Sequence, residues 1–410
     1  VEGEAIRGDK VLVAVSKSAL RVRRVHGEAG APAVEDDAVL AELEIKPRFP
    51  KSAKAETRTL EAPTERDYRS RLDLRRATTV VTVDPVTSKD FDDAISLERR
   101  GDDWLLGVHI ADVSHYVEPD TPLDREAHRR GTSVYLPGRV IPMLPERLSN
   151  DLCSLREGVD RLTMSVLLRY GPDGHLRETT FAESVIRSDR RFSYERASRV
   201  MDRAVRERGE VGDLLLDMVR LAKLLSRRRP SFALPRQEME LVYGGRGEVV
   251  DLRPTSQDVA HGVIEEFMLA ANREVARLFL RRRVPGIYRH HPRPEDLTQV
   301  WDDFRLLGVR RPESIGIRRA MKIATDKGYG PAAAAAVLRC MPRAVYTTGE
   351  ATHFSLGFEA YTHFTSPIRR YSDLVVHRLL RRLLQENGGP IEMRTTDGDL
   401  PTPSIDEEME

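Results

Sequence analysis

An apolar, β-branched run from Thr78 to Val83 leads directly into four aspartates, Asp84, Asp90, Asp92 and Asp93, all within ten residues. Side chains of this kind suit a pleated, packed surface, so the run reads as a buried strand. Lys89 is the single cation among the four carboxylates, and that much like charge at one strand end repels itself unless something positive fills the gap. A hard divalent cation is the natural filler, because Mg²⁺ takes oxygen ligands at about 2.0–2.1 Å and leaves positions for water and phosphate oxygens. The chain is therefore expected to build a sheet with a phosphoryl-transfer centre at the end of one strand. A solvated acidic loop is the plainer reading, and the adjoining strand argues against it. A calcium loop of the EF-hand kind fails, since counting from Asp90 puts Ile95 where the turn glycine belongs and Gly101 where a bidentate glutamate belongs.

At 410 residues the chain exceeds one ordinary core, and two to three domains are expected. No window approaches the roughly 18–20 consecutive apolar residues of a membrane span. Val1 to Lys10 carries charges where a secretory core would be apolar, so a cytoplasmic location is expected. Cys153 and Cys340 make neither a disulfide framework nor a zinc spacing, which fits a reducing compartment, and neither is assigned a catalytic role. Nothing calls for a membrane or an obligate protein partner.

Net charge is only +1, yet just nine of the 66 basic residues are lysine. The planar fork of arginine suits bidentate phosphate contacts, so the bias is compatible with nucleic-acid binding; codon bias in a GC-rich genome accounts for it equally well. Clusters at Arg69–Arg76, Arg227–Arg229, Arg281–Arg283 and Arg369–Arg370 would line one channel if the fold brought them together.

Short β-like runs at Lys10–Val15, Ala19–Val25 and Ala38–Ile45 suggest that residues 1–63 form a small β-rich module, with Pro47–Pro63 of linker composition. A larger unit, 64–386, follows. In it Trp104–Val117 reads as a strand and loop beside the aspartate strand, and Leu162–Tyr170 as a hairpin arm returning through Gly171–Gly174 to Leu176–Ile186. Tyr194–Arg228 switches to helical spacing, with Leu214, Met218, Leu221 and Leu225 on one face. Further helices are expected at Asp258–Arg282, Pro294–Leu307, Pro331–Arg339 and Pro367–Leu384, and residues 387–410 read as a weakly ordered acidic tail. In Thr365-Ser366-Pro367-Ile368-Arg369-Arg370-Tyr371, a helix start with two arginines implies an anion nearby. A scissile phosphate held between Arg369 and the metals is the economical expectation.

Five segments, TVDPVTSKDFDDAISL, GVHIADVSHYV, RGTSVYLPGRVIPMLPERLSNDLCSL, EEFMLAAN and HFSLGFEAYTHFTSPIRRYSDLVVHRLL, occur in this order between Asp73 and Leu384. Together they resemble the RNB family, the ribonuclease II and ribonuclease R exoribonucleases. The resemblance implies an α/β (α+β) catalytic domain over 64–386 with a mixed β-sheet flanked by helices, preceded by a possible remnant of an OB or cold-shock-like barrel. It also implies Mg²⁺-dependent, hydrolytic 3′-to-5′ digestion of single-stranded RNA to nucleoside 5′-monophosphates, with one or two ions and Mn²⁺ as a substitute. By resemblance, Asp84, Asp90, Asp92 and Asp93 take metal positions, with Asp92 the most critical to turnover, and Arg369 clamps the scissile phosphate beside Arg370. Tyr135 is similar to the tyrosine that fixes the terminal nucleotide, and Tyr194 and Glu265 to residues that read ribose. A Glu and a Tyr hydroxyl are chemically apt partners for a 2′-hydroxyl.

His109, Asp112, His290, His291, His353 and His363 lie in or near these motifs and are expected to be structural, as are Glu359 and Tyr361. In RRRPSFALPRQ the chain has Leu234 where the family carries a base-stacking phenylalanine, with Phe232 two residues earlier, so the grip on short ends is expected to be weaker. The family's flanking RNA-binding barrels find no full match, which implies lower affinity and processivity. The rival from another class is a catalytically reduced RNA-binding regulator, which should show lesions among the aspartates, and none is visible. A metal-dependent phosphatase or endonuclease would leave the tyrosine and glutamate motifs unexplained.

Overall fold

A computed structural model of the chain describes residues 5–15, 20–136, 139–207, 209–229, 238–244, 249–255 and 258–395. At the N-terminal end β1 (Asp9–Val15) and β2 (Leu20–Glu28) pair antiparallel. The expected third β-run is instead part of α1 (Pro32–Glu42), which opens on a proline and buries only Leu40. With alanines around a single buried leucine, no alternating apolar face exists to reward a strand.

The expected linker is also corrected. Within it, α2 (Lys51–Thr59) buries Ala53 and Thr57, and Glu56 Oε2 accepts the backbone N–H of Leu123 at 2.8 Å, docking the helix on the larger unit. A nine-residue helix is marginal by composition, and tertiary burial decides it. A single turn, α3 (Glu65–Tyr68), carries a Thr64–Asp67 capping box and leads into the sheet.

The sheet is built from β3 (Leu72–Asp73), β4 (Val80–Asp84), β5 (Asp93–Arg100) and β6 (Asp103–Ala111), then, after α4 (Pro122–Arg130) and the small hairpin β7 (Val134–Leu136) and β8 (Arg139–Ile141), from β9 (Asp160–Tyr170), β10 (Leu176–Arg187) and β11 (Arg190–Ser193). Across the sheet the order is β11-β4-β5-β6-β9-β10, with the late strand Ile391–Arg394 on the far side of β10 and β3 also pairing with β10. β11 runs parallel to β4, and β5, β6, β9 and β10 form an antiparallel meander. The mixed sheet expected from sequence is therefore present, with both faces covered. Val81, Ile95, Val108 and Val166 belong to one core, which α5 (Tyr194–Met201), α6 (Glu210–Arg228) and, after the hairpin β12 (Glu238–Tyr243) and β13 (Val249–Thr255), α7 (Val259–Arg282) close. Val80, Ala94 and Ala111 face a second core with Ala53, Leu123, Leu148 and Ile368.

A helical insertion follows: β14 (Tyr288–His290), α8 (Thr298–Leu306), α9 (Gly316–Asp326), α10 (Gly330–Cys340) and β15 (Val345–Thr347), which returns to pair with β14. It has its own core around Phe304, Ile317, Met321 and Val337. α9 was not anticipated, although its buried positions Ile317, Ala320, Met321 and Ala324 keep helical spacing.

The last helix, α11 (Tyr371–Glu386), starts four residues after the expected Pro367. The expected tail begins with β16 (Ile391–Arg394), whose Ile391 and Met393 are buried where it pairs antiparallel with β10. Alternating apolar residues supply one buried face and so convert that stretch into an edge strand. Residues 396–410 of the expected tail, and Phe232 and Leu234, lie outside the described residues. Among the described residues no helix is long and apolar enough to cross a membrane.

Candidate active site

The β4–β5 ladder holds only Val80 to Ser96 and Val81 to Ile95, so both strands leave the pairing before their acidic ends. Asp84 closes β4, Asp93 opens β5, and the connecting loop carries Asp90 and Asp92. The loop is stapled to the body at several points. Ser154 Oγ accepts from Phe91 N at 3.1 Å and donates to the Lys89 carbonyl at 2.7 Å. Leu155 N donates to the Phe91 carbonyl and Ala111 N to the Asp92 carbonyl. Ser88 Oγ donates to Asp90 Oδ1 at 2.8 Å.

Asp84 and Asp92 are only 8% and 5% exposed. Burial pushes the Asp84 carboxyl up, the charges of Asp93, Asp92 and Asp90 push further, and Arg191 opposes them. Asp92 is raised by burial against the pull of Arg369 and of the Ile368 N–H, which donates to Asp92 Oδ1 at 2.8 Å. Asp93 is raised by burial and drawn down by Arg369 and Arg370. Among the described residues Asp84 Oδ2 is buried without a hydrogen-bond partner. An orphaned acceptor among mutually repelling carboxylates is the environment a cation relieves, and oxygen-only donors suit Mg²⁺ or Mn²⁺. Among the described residues, however, no three His, Cys, Asp or Glu side chains converge into a ready-made metal cage. The donor set thus fits an ion that takes a few carboxylate oxygens and completes its shell with water and phosphate.

Across this pocket Arg369 Nε stands 3.9 Å from Asp92 Oδ2, while Arg369 Nη2 donates to Ser366 Oγ at 3.0 Å. The Arg369 side chain is nearly half exposed, which leaves guanidinium donors open to a ligand. It is not held at a helix N-terminus, contrary to expectation. Residues 131–133 zip onto 369–371: Ser133 N donates to the Arg369 carbonyl and Tyr371 N to the Gly131 carbonyl. This extended pairing draws Arg370 out of the helix and delays α11 until Tyr371. Arg370 is also committed elsewhere, forking onto the buried Asp373 at 2.9 and 2.7 Å, so it braces the turn and does not present a free fork.

The same zipper aligns β7, and with it Tyr135, which is 56% exposed. Desolvation and the charge of Asp90 raise the pKa of its hydroxyl, which places that hydroxyl within the field of the acidic pocket. On the opposite flank, parallel pairing sets Ser193 beside Asp84 and so brings in Tyr194, the first residue of α5. Tyr194 stacks on His261 with ring centroids 3.7 Å apart and planes 9° apart, and His261 Nδ1 is 2.7 Å from Asp258 Oδ1. Glu265 is exposed one turn along α7 from His261, on the same helix face, while Glu266 is buried against Arg229 at 2.6 Å.

The structure therefore gathers Asp84, Asp90, Asp92, Asp93 and Arg369, with Tyr135 and Tyr194 on the flanks and Glu265 further along α7. Members of two of the other arginine clusters are engaged elsewhere. Arg71 is buried against Asp112 and Glu183, and Arg75 is taken by Asp73 and Asp160. Arg228 and Arg229 line a separate cleft of about 640 Å³ with Tyr170 and Leu176, at the far end of the sheet.

The histidines of the motifs are held by structural partners. His109 sits between Ser96 and Ser165, and burial lowers its pKa to about 3. His291 and His353 stack on each other, and His363 meets the Tyr346 hydroxyl at 2.6 Å. His290 Nδ1 lies 2.9 Å from the Thr352 carbonyl. Glu359 ties Arg273, and the Tyr361 hydroxyl accepts from Asn272. Sequence reasoning missed His261, Ser154 and Arg191, whose roles depend on partners far away in the chain and leave no local signal.

Residues 71–386 match the RNB domain model. The chain is 40% identical to Ribonuclease R of Thermotoga maritima over 385 residues, covering 90% of this chain and 54% of that protein. Its fold matches the apo form of Mycoplasma genitalium RNase R with a TM-score of 0.89 at 28% identity, covering 100% of this chain and 66% of that one. It also matches that protein in complex with ribose-methylated single-stranded RNA, with a TM-score of 0.85 at 29% identity over 95% of this chain and 62% of that one. The chain spans about half the length of the curated relatives it matches. With the acidic strand ends, the facing arginine and the ordered motifs all inside the matched span, this chain belongs to the RNB family.

Proposed function

We propose that the chain carries the catalytic unit of a hydrolytic 3′-to-5′ exoribonuclease that uses Mg²⁺ to cleave single-stranded RNA to nucleoside 5′-monophosphates. The observation that carries this reading is the approach of Arg369 Nε to within 3.9 Å of Asp92 Oδ2, which joins the candidate phosphate-binding group to the acidic strand ends. The similarity to ribonuclease R, solved elsewhere with single-stranded RNA, supports the substrate class.

In this reading Asp84, Asp90, Asp92 and Asp93 hold the ion, which when bound supplies charge neutralisation and an activated water. Asp92, fixed by the Ile368 N–H, keeps one oxygen toward Arg369, and that guanidinium grips the scissile phosphate. Tyr135 offers an exposed ring to the terminal base, and Tyr194, braced by His261, works with Glu265 on ribose hydroxyls. Two unpaired cysteines, Cys153 and Cys340, agree with a reducing cytoplasm.

The test uses 5′-labelled and 3′-labelled single-stranded RNA with Mg²⁺ or a chelator, comparing the protein with Asp92→Asn. The expected result is early mononucleotide from the 3′ label, a ladder shortening from the 3′ end with the 5′ label, and loss of both with the variant or chelator. Internal fragments without early mononucleotides would indicate an endonuclease, and binding without cleavage an RNA-binding regulator.

A further inference from the structure

Asp90 and Asp92 ride on a loop whose second half is well fastened, through Ser154, Leu155, Ala111 and Ile368, whereas its first half is exposed at Pro85, Val86 and Thr87. Arg191 Nη2 donates to the carbonyls of Pro85 at 3.0 Å, Val86 at 3.0 Å and Ser88 at 3.5 Å. Its guanidinium carbon also lies 4.8 Å from the centroid of the Phe91 ring, in the second half of the same loop. Among the described residues no other side chain donates to those three carbonyls.

The anchor behind Arg191 is firm. It belongs to β11, pairs in register with Thr82 of β4, and gives its backbone N–H to Glu157 Oε2 at 2.8 Å. Arg191 thus spans from the neighbouring strand over the end of β4 and gathers both halves of the loop beneath one cation. Carbonyls turned toward a cation form charge-assisted hydrogen bonds, roughly twice the strength of neutral ones. The chain of contacts then runs from Arg191 through the Ser88 carbonyl, and from the Ser88 hydroxyl to Asp90 Oδ1.

We propose that Arg191 is a positioning residue that clamps the 85–88 segment and thereby sets where Asp90 and Asp92 present their oxygens to the bound ion and phosphate. The proposal rests on the exoribonuclease reading for its catalytic consequence, but the clamp is a property of the loop and is measurable without turnover. Arg191→Met removes the donors and keeps an apolar stem that stops two atoms short of the guanidinium nitrogen making the contacts. Arg191→Lys returns one charged nitrogen on a stem one atom shorter, and so restores in part the contacts that a single guanidinium nitrogen makes.

Two readouts on the full chain decide it. Hydrogen exchange of the protein without RNA or metal should show peptides covering 86–91 exchanging about ten-fold faster in Arg191→Met, with peptides of β9 and β10 unchanged and Arg191→Lys intermediate. Hydrolysis of labelled RNA should show kcat falling on the order of 10²-fold, the scale of a 1 Å misplacement in a catalytic constellation. KM should change by less than about two-fold, and Arg191→Lys should recover part of the kcat. Unchanged exchange in the loop would overturn the clamp whatever the activity. A loss confined to KM, or no loss of kcat, would overturn its catalytic role. If the unsubstituted protein leaves RNA intact, the exoribonuclease reading fails while the exchange experiment still decides the clamp. Should Arg191→Met not fold, Arg191→Gln, too short to reach the three carbonyls, replaces it with the same expectation.

Discussion

Replacing Asp112 by asparagine should weaken the fold and disturb the acidic pocket together, and the size of the effect follows from its surroundings. The Asp112 side chain is fully buried just beyond β6, where it accepts from Arg71 Nη2 at 2.7 Å, from Ser114 Oγ at 2.8 Å and from Arg381. Glu183 reaches the same two guanidiniums, 3.2 Å from Arg71 and 2.9 Å from Arg381. Burial pushes the Asp112 carboxyl up, but Arg381 and then Arg71 outweigh it and hold it below the usual carboxylate range. Asparagine keeps the shape and leaves two buried guanidiniums sharing one carboxylate. Breaking a buried ion pair from one side costs about 3–5 kcal/mol, and because Glu183 retains part of the compensation, about 3 kcal/mol is expected.

Urea unfolding in a Trp301→Phe background would read this through Trp104, which lies in the sheet core. A depressed folded pKa contributes stability that is present above the unfolded value and lost as pH falls through the folded one. The stability difference between the unsubstituted protein and Asp112→Asn should therefore be constant across neutral pH and close only in strong acid. The catalytic echo comes through the preceding residue, since Ala111 N holds the Asp92 carbonyl, so kcat should fall as well. A loss of less than about 1 kcal/mol, the worth of an exposed pair, would refute the account of this network.

Other outcomes are equally specific. Because the folded pKa of Asp84 is raised, its charged form destabilises the metal-free fold as pH rises above the unfolded value; Asp84→Asn should raise Tm in chelator at neutral pH, abolish RNA hydrolysis and remove the Tm gain that Mg²⁺ gives the unsubstituted protein. By the same sign, apparent Mg²⁺ affinity should weaken as pH falls and protons compete for Asp84 and Asp93, which a Mg²⁺ titration at several pH values would measure. Arg369→Met should lower kcat by roughly 10²–10³-fold, as loss of one preorganised donor to a charged transition state does, with folding unchanged by circular dichroism. Tyr194→Ala, Glu265→Ala and His261→Ala should each narrow the preference for RNA over DNA. Unchanged relative cleavage of RNA–DNA chimeras would remove the ribose-reading assignment for that residue.

The elements legible in the sequence were those whose cues are local. The β-branched run before Asp84, the hairpin turn at 171–174 and the spaced leucines of α6 each carry their own period or turn chemistry, and all appear where expected. The misses were of another kind. The helix α2 looked like linker because its burial is supplied by α4, and β16 looked like tail because its partner β10 lies some two hundred residues earlier in the chain. The Ser366–Arg370 stretch had the composition of a helix start and became a turn because residues 131–133 offered its backbone a competing partner.

The same division holds for the site. Sequence alone determined which residue types were available: four carboxylates behind a strand, an arginine pair after Ser-Pro, and ordered motifs that marked the family. Only the tertiary structure decided that Arg369 and not Arg370 keeps an open guanidinium beside Asp92, that Tyr194 leans on His261, and that Arg191 covers the carboxylate loop. Charge and propensity are properties of a residue and its neighbours in sequence. Whether a guanidinium is free or already paired depends on which distant groups the packed sheet and helices bring within hydrogen-bond reach.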